Sequence, residues 1–258
     1  MSAALSLYIA GSSEVHRLHP ITKLALAGLM LCGGLALPGP WLIFAFLVIV
    51  VIPLSIWGNI LAALIAPTTR IALPYAISVF LIQGFLWPGG TVLFHVGPFA
   101  LKEEGLVFAL TSTGRILMVV TSFLWFAFTT RPDVLMSTLT QRGFSPSLAY
   151  IIVSTLQIVP RFRARAVAIL DAQQSRGLDI GGSLPSRGRA VLPLVVPLVL
   201  SSLIDVEERA LAIEARGFNH PGAKTSLTEV TEAAWEPVAR WCIAIAAVAV
   251  VGLGVWLR

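Results

Sequence analysis

Charged side chains are scarce in this chain. Asp, Glu, Lys and Arg make up 12% of its 258 residues, 57% are hydrophobic, and the mean hydropathy is +0.87. A soluble domain holds about 25% charged and 45–50% apolar residues, so a soluble globular protein is excluded. Closed β-barrels alternate polar and apolar residues and lack long apolar runs, so the membrane protein implied here is helical. Cysteine is rarer still: Cys32 and Cys242 are the only two, both within apolar runs. Their spacing offers no partners for a disulfide or a metal site, which leaves packing as their role. Residues 1–20 hold polar and charged positions in place of an apolar core and a small-residue cleavage site, so no cleavable signal is expected.

Catalytic groups are also missing from the apolar runs. Arg115 is the one charge placed deep within a span, Lys23, Arg70, Glu236 and Arg240 lying near run ends, and His95 falls in a loop between spans. An intramembrane enzyme needs ionisable or nucleophilic groups that converge within the membrane, and clustered Asp or His does not occur there. A buried structural contact inside the bundle is the expectation for Arg115. A nucleotide site is absent too. In "GFNHPGAKT" Ala223 separates Gly222 from Lys224 and Thr225, whereas a P-loop needs its lysine directly after the glycine.

Apolar length is what the chain has in abundance. Runs at 21–38, 41–57, 70–87 and 105–130 fill the first half, and one more closes the chain at 235–257. Each approaches the roughly 20 residues that cross a bilayer, the second only if it continues past Trp57 into "GNILAALIA". Trp41, Trp57, Trp87, Trp235 and Trp256 fall near run ends, where amphipathic rings favour the interface. With a cytoplasmic N-terminus, Arg17, Lys23, Arg70 and all twelve basic residues from Arg131 to Arg240 lie inside, against Lys102 and Arg258 outside. That asymmetry predicts about five spans with the N-terminus in and the C-terminus out.

Between the fourth and fifth runs, residues 131–234 read as long amphipathic helices. Leu148, Ile151, Ile152, Val159, Phe162, Ala166, Ile169 and Leu170 share one face, and Arg161, Arg165 and Arg176 another. The stretch Ala190–Ile204 is too short to span comfortably and carries Pro193 and Pro197. It leads into a stripe of Asp205, Glu208, Arg209, Ala212 and Arg216, with Asp205 and Arg209 spaced to pair. The loop "LDIGGSLPSRG" joins the two helices. Each closes on a triplet: Ser175-Arg176-Gly177 and Ala215-Arg216-Gly217. Glycine past a helix end takes the left-handed turn that stops it, and an arginine in the last turn complements the dipole. Two such ends on one face also suit docking, since a guanidinium presents five fixed donors to carboxylates or helix-end carbonyls. Both are therefore expected to plug into one partner.

At this point the sequence resembles the T component, or transmembrane coupling subunit, of energy-coupling factor transporters. The resemblance covers nearly the whole chain. "SEVHRLHPITKLAL" resembles the family's opening stretch, with His16, Leu18, Pro20, Thr22 and Lys23 in its pattern. "TTRPDVLMSTLTQRGFS", "VPRFRARAVAILDAQQSRG" and "EERALAIEARGF" resemble its coupling helices. The family's paired Ala-Arg-Gly motif matches fully at Ala215-Arg216-Gly217 and has Ser175 for alanine at the first copy. His19 stands where the family usually has aspartate.

The resemblance implies an all-α integral membrane protein of the prokaryotic cytoplasmic membrane. Residues 1–130 would be a four-span bundle, 131–234 a cytoplasmic coupling domain, and 235–258 a last span. Coupling helices at 132–143, 146–177 and 187–217 would cross and dock on two ABC-type ATPases. Both triplets would make that contact, supported by Arg161, Arg165, Asp205, Glu208 and Arg209. The membrane part would hold a substrate-binding S component that imports a vitamin or a transition-metal ion. No cofactor is expected in this chain, ATP and Mg being bound by the ATPases, and no nucleic acid is a partner. A conventional ABC permease is the alternative, but "EAAWEPV" has Val238 where that family's coupling loop needs glycine. An intramembrane enzyme is the more distant one.

Overall fold

The structure is a computed structural model and describes residues 8–9, 11, 13–89, 91–96, 99–178, 184–218, 220 and 232–257. Its helices are α1 (Glu14–Arg17), α2 (Pro20–Ala36), α3 (Pro40–Phe46), α4 (Ile52–Trp57), α5 (Leu61–Leu86), α6 (Glu103–Thr129), α7 (Pro132–Gln141), α8 (Pro146–Ser175), α9 (Leu184–Ala215) and α10 (Glu236–Trp256). A π-helical turn, Leu47–Val51, joins α3 to α4 just ahead of Pro53, whose ring and missing N–H disturb the regular ladder there. The only strands among the described residues are β1 (Val92–Val96) and β2 (Phe99–Lys102), an antiparallel hairpin between α5 and α6.

Four helices or helix pairs are long and apolar enough to cross a membrane: Pro40–Trp57, Leu61–Leu86, Glu103–Thr129 and Glu236–Trp256. Pro20–Ala36 is apolar but shorter. The run expected at 41–57 does not continue into "GNILAALIA". Asn59, at φ 52°, turns the chain, and α5 starts at Leu61. The third span therefore takes in the residues expected to lengthen the second.

The described residues divide into two compact units, one holding 8–143 and 232–257, the other 144–220. The first unit has a core of Val15, Met30, Ile43, Met118, Trp125 and their neighbours. Its helices approach closely at glycine. A Cβ at Gly254 of α10 would stand 2.2 Å from the Ala36 carbonyl oxygen, and one at Gly105 of α6 would stand 2.1 Å from that of Gln83. Trp41, Trp57, Trp235 and Trp256 are exposed near helix ends, as the interface reading requires. Arg115 on α6 is half-buried, as expected of a contact inside the bundle, and its Nε lies buried without a hydrogen-bond partner among the described residues.

The start of α2, the end of α6 and the start of α10 meet at one end of this unit. Lys23 Nζ donates to the carbonyl oxygens of His16 and Thr129, both at 2.8 Å. Glu236 Oε2 accepts from Thr22 Oγ1 at 2.7 Å and from the His19 backbone N–H at 3.0 Å. His19, Thr22, Lys23, Thr129 and Glu236 are all buried. The opening pattern of the sequence thus has a structural meaning. His16 supplies a carbonyl, Leu18 is buried, Pro20 opens α2, and Thr22 and Lys23 bind two distant segments. His19 caps α2 with Nδ1, which accepts from Ile21 N–H at 3.4 Å, so imidazole serves where a short carboxylate commonly caps.

Candidate coupling surface

The second unit consists of α8 and α9. Pro146 at the first turn presets the backbone of α8, whose 30 residues run through Pro160 to Ser175. The loop expected between the helices is shorter than its sequence suggested, because Leu184–Gly188 already belong to α9. Residues 179–183 of that loop lie outside the described residues, as does most of "GFNHPGAKT". Pro193 and Pro197 sit inside α9 without ending it. Pro197 has no N–H for the carbonyl of Pro193, and Gln173 of α8 donates to that oxygen at 3.5 Å.

The two helices run in opposite directions. Tyr150 meets Phe218 with ring centroids 5.6 Å apart, Arg165 meets Asp205, and Gln173 meets Pro193. Arg165 Nη1 lies 2.5 Å from Asp205 Oδ2 and 3.3 Å from the Ser201 carbonyl oxygen, and Nη2 lies 3.2 Å from Oδ1. The pairing expected between Asp205 and Arg209 is therefore replaced by a bidentate bridge between helices. Its hydrogen bond from Arg165 holds the Asp205 carboxyl below its ordinary pKa, with Arg209 and Arg161 acting in the same direction.

A groove of about 360 Å³ runs between α8 and α9. Ile151, Ile158 and Phe162 line it together with Arg161, Arg165 and Arg209. The apolar and basic faces read separately from the sequence thus meet in one groove, because α9 closes over the boundary between them. Asp205 also lines the groove and Glu208 does not, so four of the five supporting residues come together.

Both triplets form the same helix stop. At the end of α8, Leu178 N–H bonds the Gln173 carbonyl at 3.0 Å and Gly177 N–H bonds Gln174 at 2.9 Å, with Gly177 at φ 90°. At the end of α9, Phe218 N–H bonds Ile213 at 3.2 Å and Gly217 N–H bonds Glu214 at 2.9 Å, with Gly217 at φ 70°. These are paired 6→1 and 5→2 bonds around a left-handed glycine. Ser175 Oγ bonds the Asp171 carbonyl within its own helix, so the hydroxyl adds nothing an alanine would lack at this stop.

Neither guanidinium takes part. Arg176 and Arg216 are exposed, and neither side chain has a hydrogen-bond or ion-pair partner among the described residues. A third Arg-Gly stop, which the sequence reading passed over, closes α7 at Arg142 and Gly143, with Gly143 at φ 95°. There the arginine is engaged: Arg142 Nη2 lies 3.6 Å from Glu232 Oε2, and Glu232 also pairs with Arg240. The repeated Arg-Gly-apolar pattern in "QRGF", "SRGL" and "ARGF" was the available signal.

The antiparallel arrangement also separates the two free arginines. Arg176 lies toward the Pro193 end of the pair and Arg216 toward the Tyr150 end. The 23 residues from Tyr150 to Gln173 correspond to roughly 35 Å of helix. The two triplets expected to plug into one partner therefore stand at opposite ends of the helix pair.

The sequence model of the cobalt transport protein family (CbiQ) matches residues 11–227. Three relatives, each named energy-coupling factor transporter transmembrane protein EcfT, align over most of their length. The protein of Lacticaseibacillus paracasei is 29% identical over 223 residues, covering 83% of this chain and 84% of the relative. That of Listeria innocua is 26% identical over 264 residues, covering 98% and 97%. That of Bacillus subtilis is 27% identical over 233 residues, covering 87% and 88%.

Proposed function

The chain belongs to the cobalt transport protein (CbiQ) family, and from that premise we propose that it is the transmembrane coupling subunit of an energy-coupling factor importer. In this reading the apolar helices sit in the cytoplasmic membrane and hold a substrate-binding S component. The α8–α9 pair lies on the cytoplasmic side and docks on two ABC-type ATPases. This chain performs no hydrolysis, and ATP and Mg belong to the ATPases.

One observation carries the reading. Glycine and backbone complete each helix stop unaided, and the guanidinium beside each is left exposed and without a partner among the described residues. Helix capping explains the glycines but not the arginines. A guanidinium fork held out at a rigid helix end suits a carboxylate or a cluster of carbonyls on another protein. Two such ends at opposite ends of an antiparallel pair suit two copies of one partner, here a pair of identical or similar ATPases. The apolar faces support the same reading: Ile151, Val167, Leu200, Leu203 and Leu211 are exposed on α8 and α9, which are not among the candidate spans found in the described residues.

Co-purification from the native membrane tests it. A tagged chain should bring down ABC ATPases and a small hydrophobic membrane protein. Recovery of the chain with no ATPase at all would end the reading. Orientation is read from a single cysteine at Ser175 on a Cys32→Ala/Cys242→Ala background. It should react with impermeant maleimide only after the membrane is opened, and reaction in intact cells would contradict the cytoplasmic placement.

A further inference from the structure

Two stretches of chain link the apolar unit to the α8–α9 unit. One leaves through the end of α6 and α7, and the other returns into α10. Both are fastened to the same turn of α2. On the outgoing side, Lys23 holds the carbonyl oxygen of Thr129, the last residue of α6. On the returning side, Thr22 and the His19 N–H hold the carboxylate of Glu236, the first residue of α10. The stretches are also fastened to each other, because Arg142 at the end of α7 pairs with Glu232 ahead of α10.

These contacts join residues 106 and 214 positions apart in the sequence. Lys23 and Glu236 are both at least 96% buried, and Glu236 is close enough to act on the charge of Lys23. Buried charges of this kind give little net stability compared with well-packed apolar residues in the same space. What they do give is fixed geometry, since each donor has one set of acceptors it can reach. Placed at both chain crossings, that geometry has a mechanical consequence.

We infer that Thr22, Lys23 and Glu236, with Arg142 and Glu232 at its rim, form a clasp that delivers motion of the α8–α9 arm to α2. They are positioning residues. A pull that arrives at Thr129 or at Glu236 is passed to α2 through the clasp. The inference rests on the coupling reading above, and its test is arranged so that the two fail differently.

The test uses the complex of this chain with the ATPases that co-purify with it, reconstituted in lipid nanodiscs. Nitroxides are placed at Leu31→Cys on α2 and Ile77→Cys on α5, both exposed, on a background lacking Cys32 and Cys242. The distance between them is measured without nucleotide and after trapping with ATP and vanadate. In the otherwise wild-type chain trapping should shift the distance. In Thr22→Val/Lys23→Met/Glu236→Leu the shift should be lost, while ATP hydrolysis stays within about twofold of wild type. Arg142→Gln should lose part of the shift.

An unchanged shift in the triple variant, or no shift in the wild type, overturns the clasp. So does a loss of hydrolysis in proportion to the loss of shift, since that is damage to assembly and not to transmission. If the triple variant yields no complex, Arg142→Gln decides alone: a full shift there overturns the proposal. Failure of the wild-type chain to bind any ATPase refutes the coupling reading itself and is seen before any variant is made.

Discussion

The two compact units differ most in where their apolar side chains go. In the apolar unit, Met30, Ile43, Met118 and Trp125 are fully buried, and the exposed surface lies on helices built to face lipid. In the α8–α9 unit, Ala149 and Leu198 are the buried hydrophobics among the described residues, and most of the rest stand open on helices that also carry arginine. The first unit is packed by its own sequence. The second is an antiparallel pair of helices that leaves apolar side chains exposed beside charged ones, the kind of patch that marks a contact with protein or membrane. Polar groups divide in the same way: in the apolar unit buried ones close on Lys23 and Glu236, whereas the arm, beyond its Arg165–Asp205 bridge, leaves Arg176 and Arg216 exposed at its ends.

Four experiments sharpen that contrast, from the largest effect to the smallest. Trp125→Ala removes a fully buried side chain from the core and should cost about 3–5 kcal/mol. Folded yield and melting temperature in detergent should both drop. The same measurement on Leu203→Ser of the arm should show little change, and an equal loss would erase the distinction between the units. Next, Gly177→Ala or Gly217→Ala forces a Cβ into a left-handed backbone and should cost about 1–2 kcal/mol. Faster amide exchange confined to the last turn of α8 or α9 is the expected signature.

The third is a pH effect. Burial holds the His19 imidazole below its ordinary value of 6.5, opposed by Glu232 and Glu236 and assisted by Arg240 and Arg142. His16 is lowered as well, by burial first and then by Lys23. Folding favours the neutral rings, so their contribution is complete above 6.5 and is lost as pH falls below it through the lower folded values. The melting temperature should therefore fall between about pH 7 and pH 5, and His19→Asn, which keeps a cap that does not titrate, should flatten part of that fall. An unaltered pH profile would remove His19 from the account. Smallest is Ser175→Ala, expected within about 0.5 kcal/mol of wild type in stability and unchanged in ATPase binding.

Much of this was legible in the sequence. The long apolar runs dictated the spans, and the glycines at 177 and 217 marked two helix ends. The boundary at Asn59 was not legible, because the apolar residues on both sides of the turn look alike and only its positive φ separates them. Periodicity placed Arg165 and Asp205 on faces of their own helices, but a bridge between helices depends on the antiparallel register, which no single-helix pattern contains. The clasp was hidden for the same reason. Thr22 and Glu236 are 214 residues apart, and a glutamate at the start of an apolar helix reads equally well as a dipole partner.

Retention of the ATPases by the Arg176→Ala/Arg216→Ala variant tests the central claim most directly. If each guanidinium fills a site on an ATPase, truncation leaves its partners unpaired and costs about 2–5 kcal/mol of binding at each end. Single variants should then hold the ATPases weakly and the double variant not at all, with the chain itself folded at the wild-type melting temperature. A double variant that binds the ATPases as tightly as wild type would show that the arginines only finish their helices.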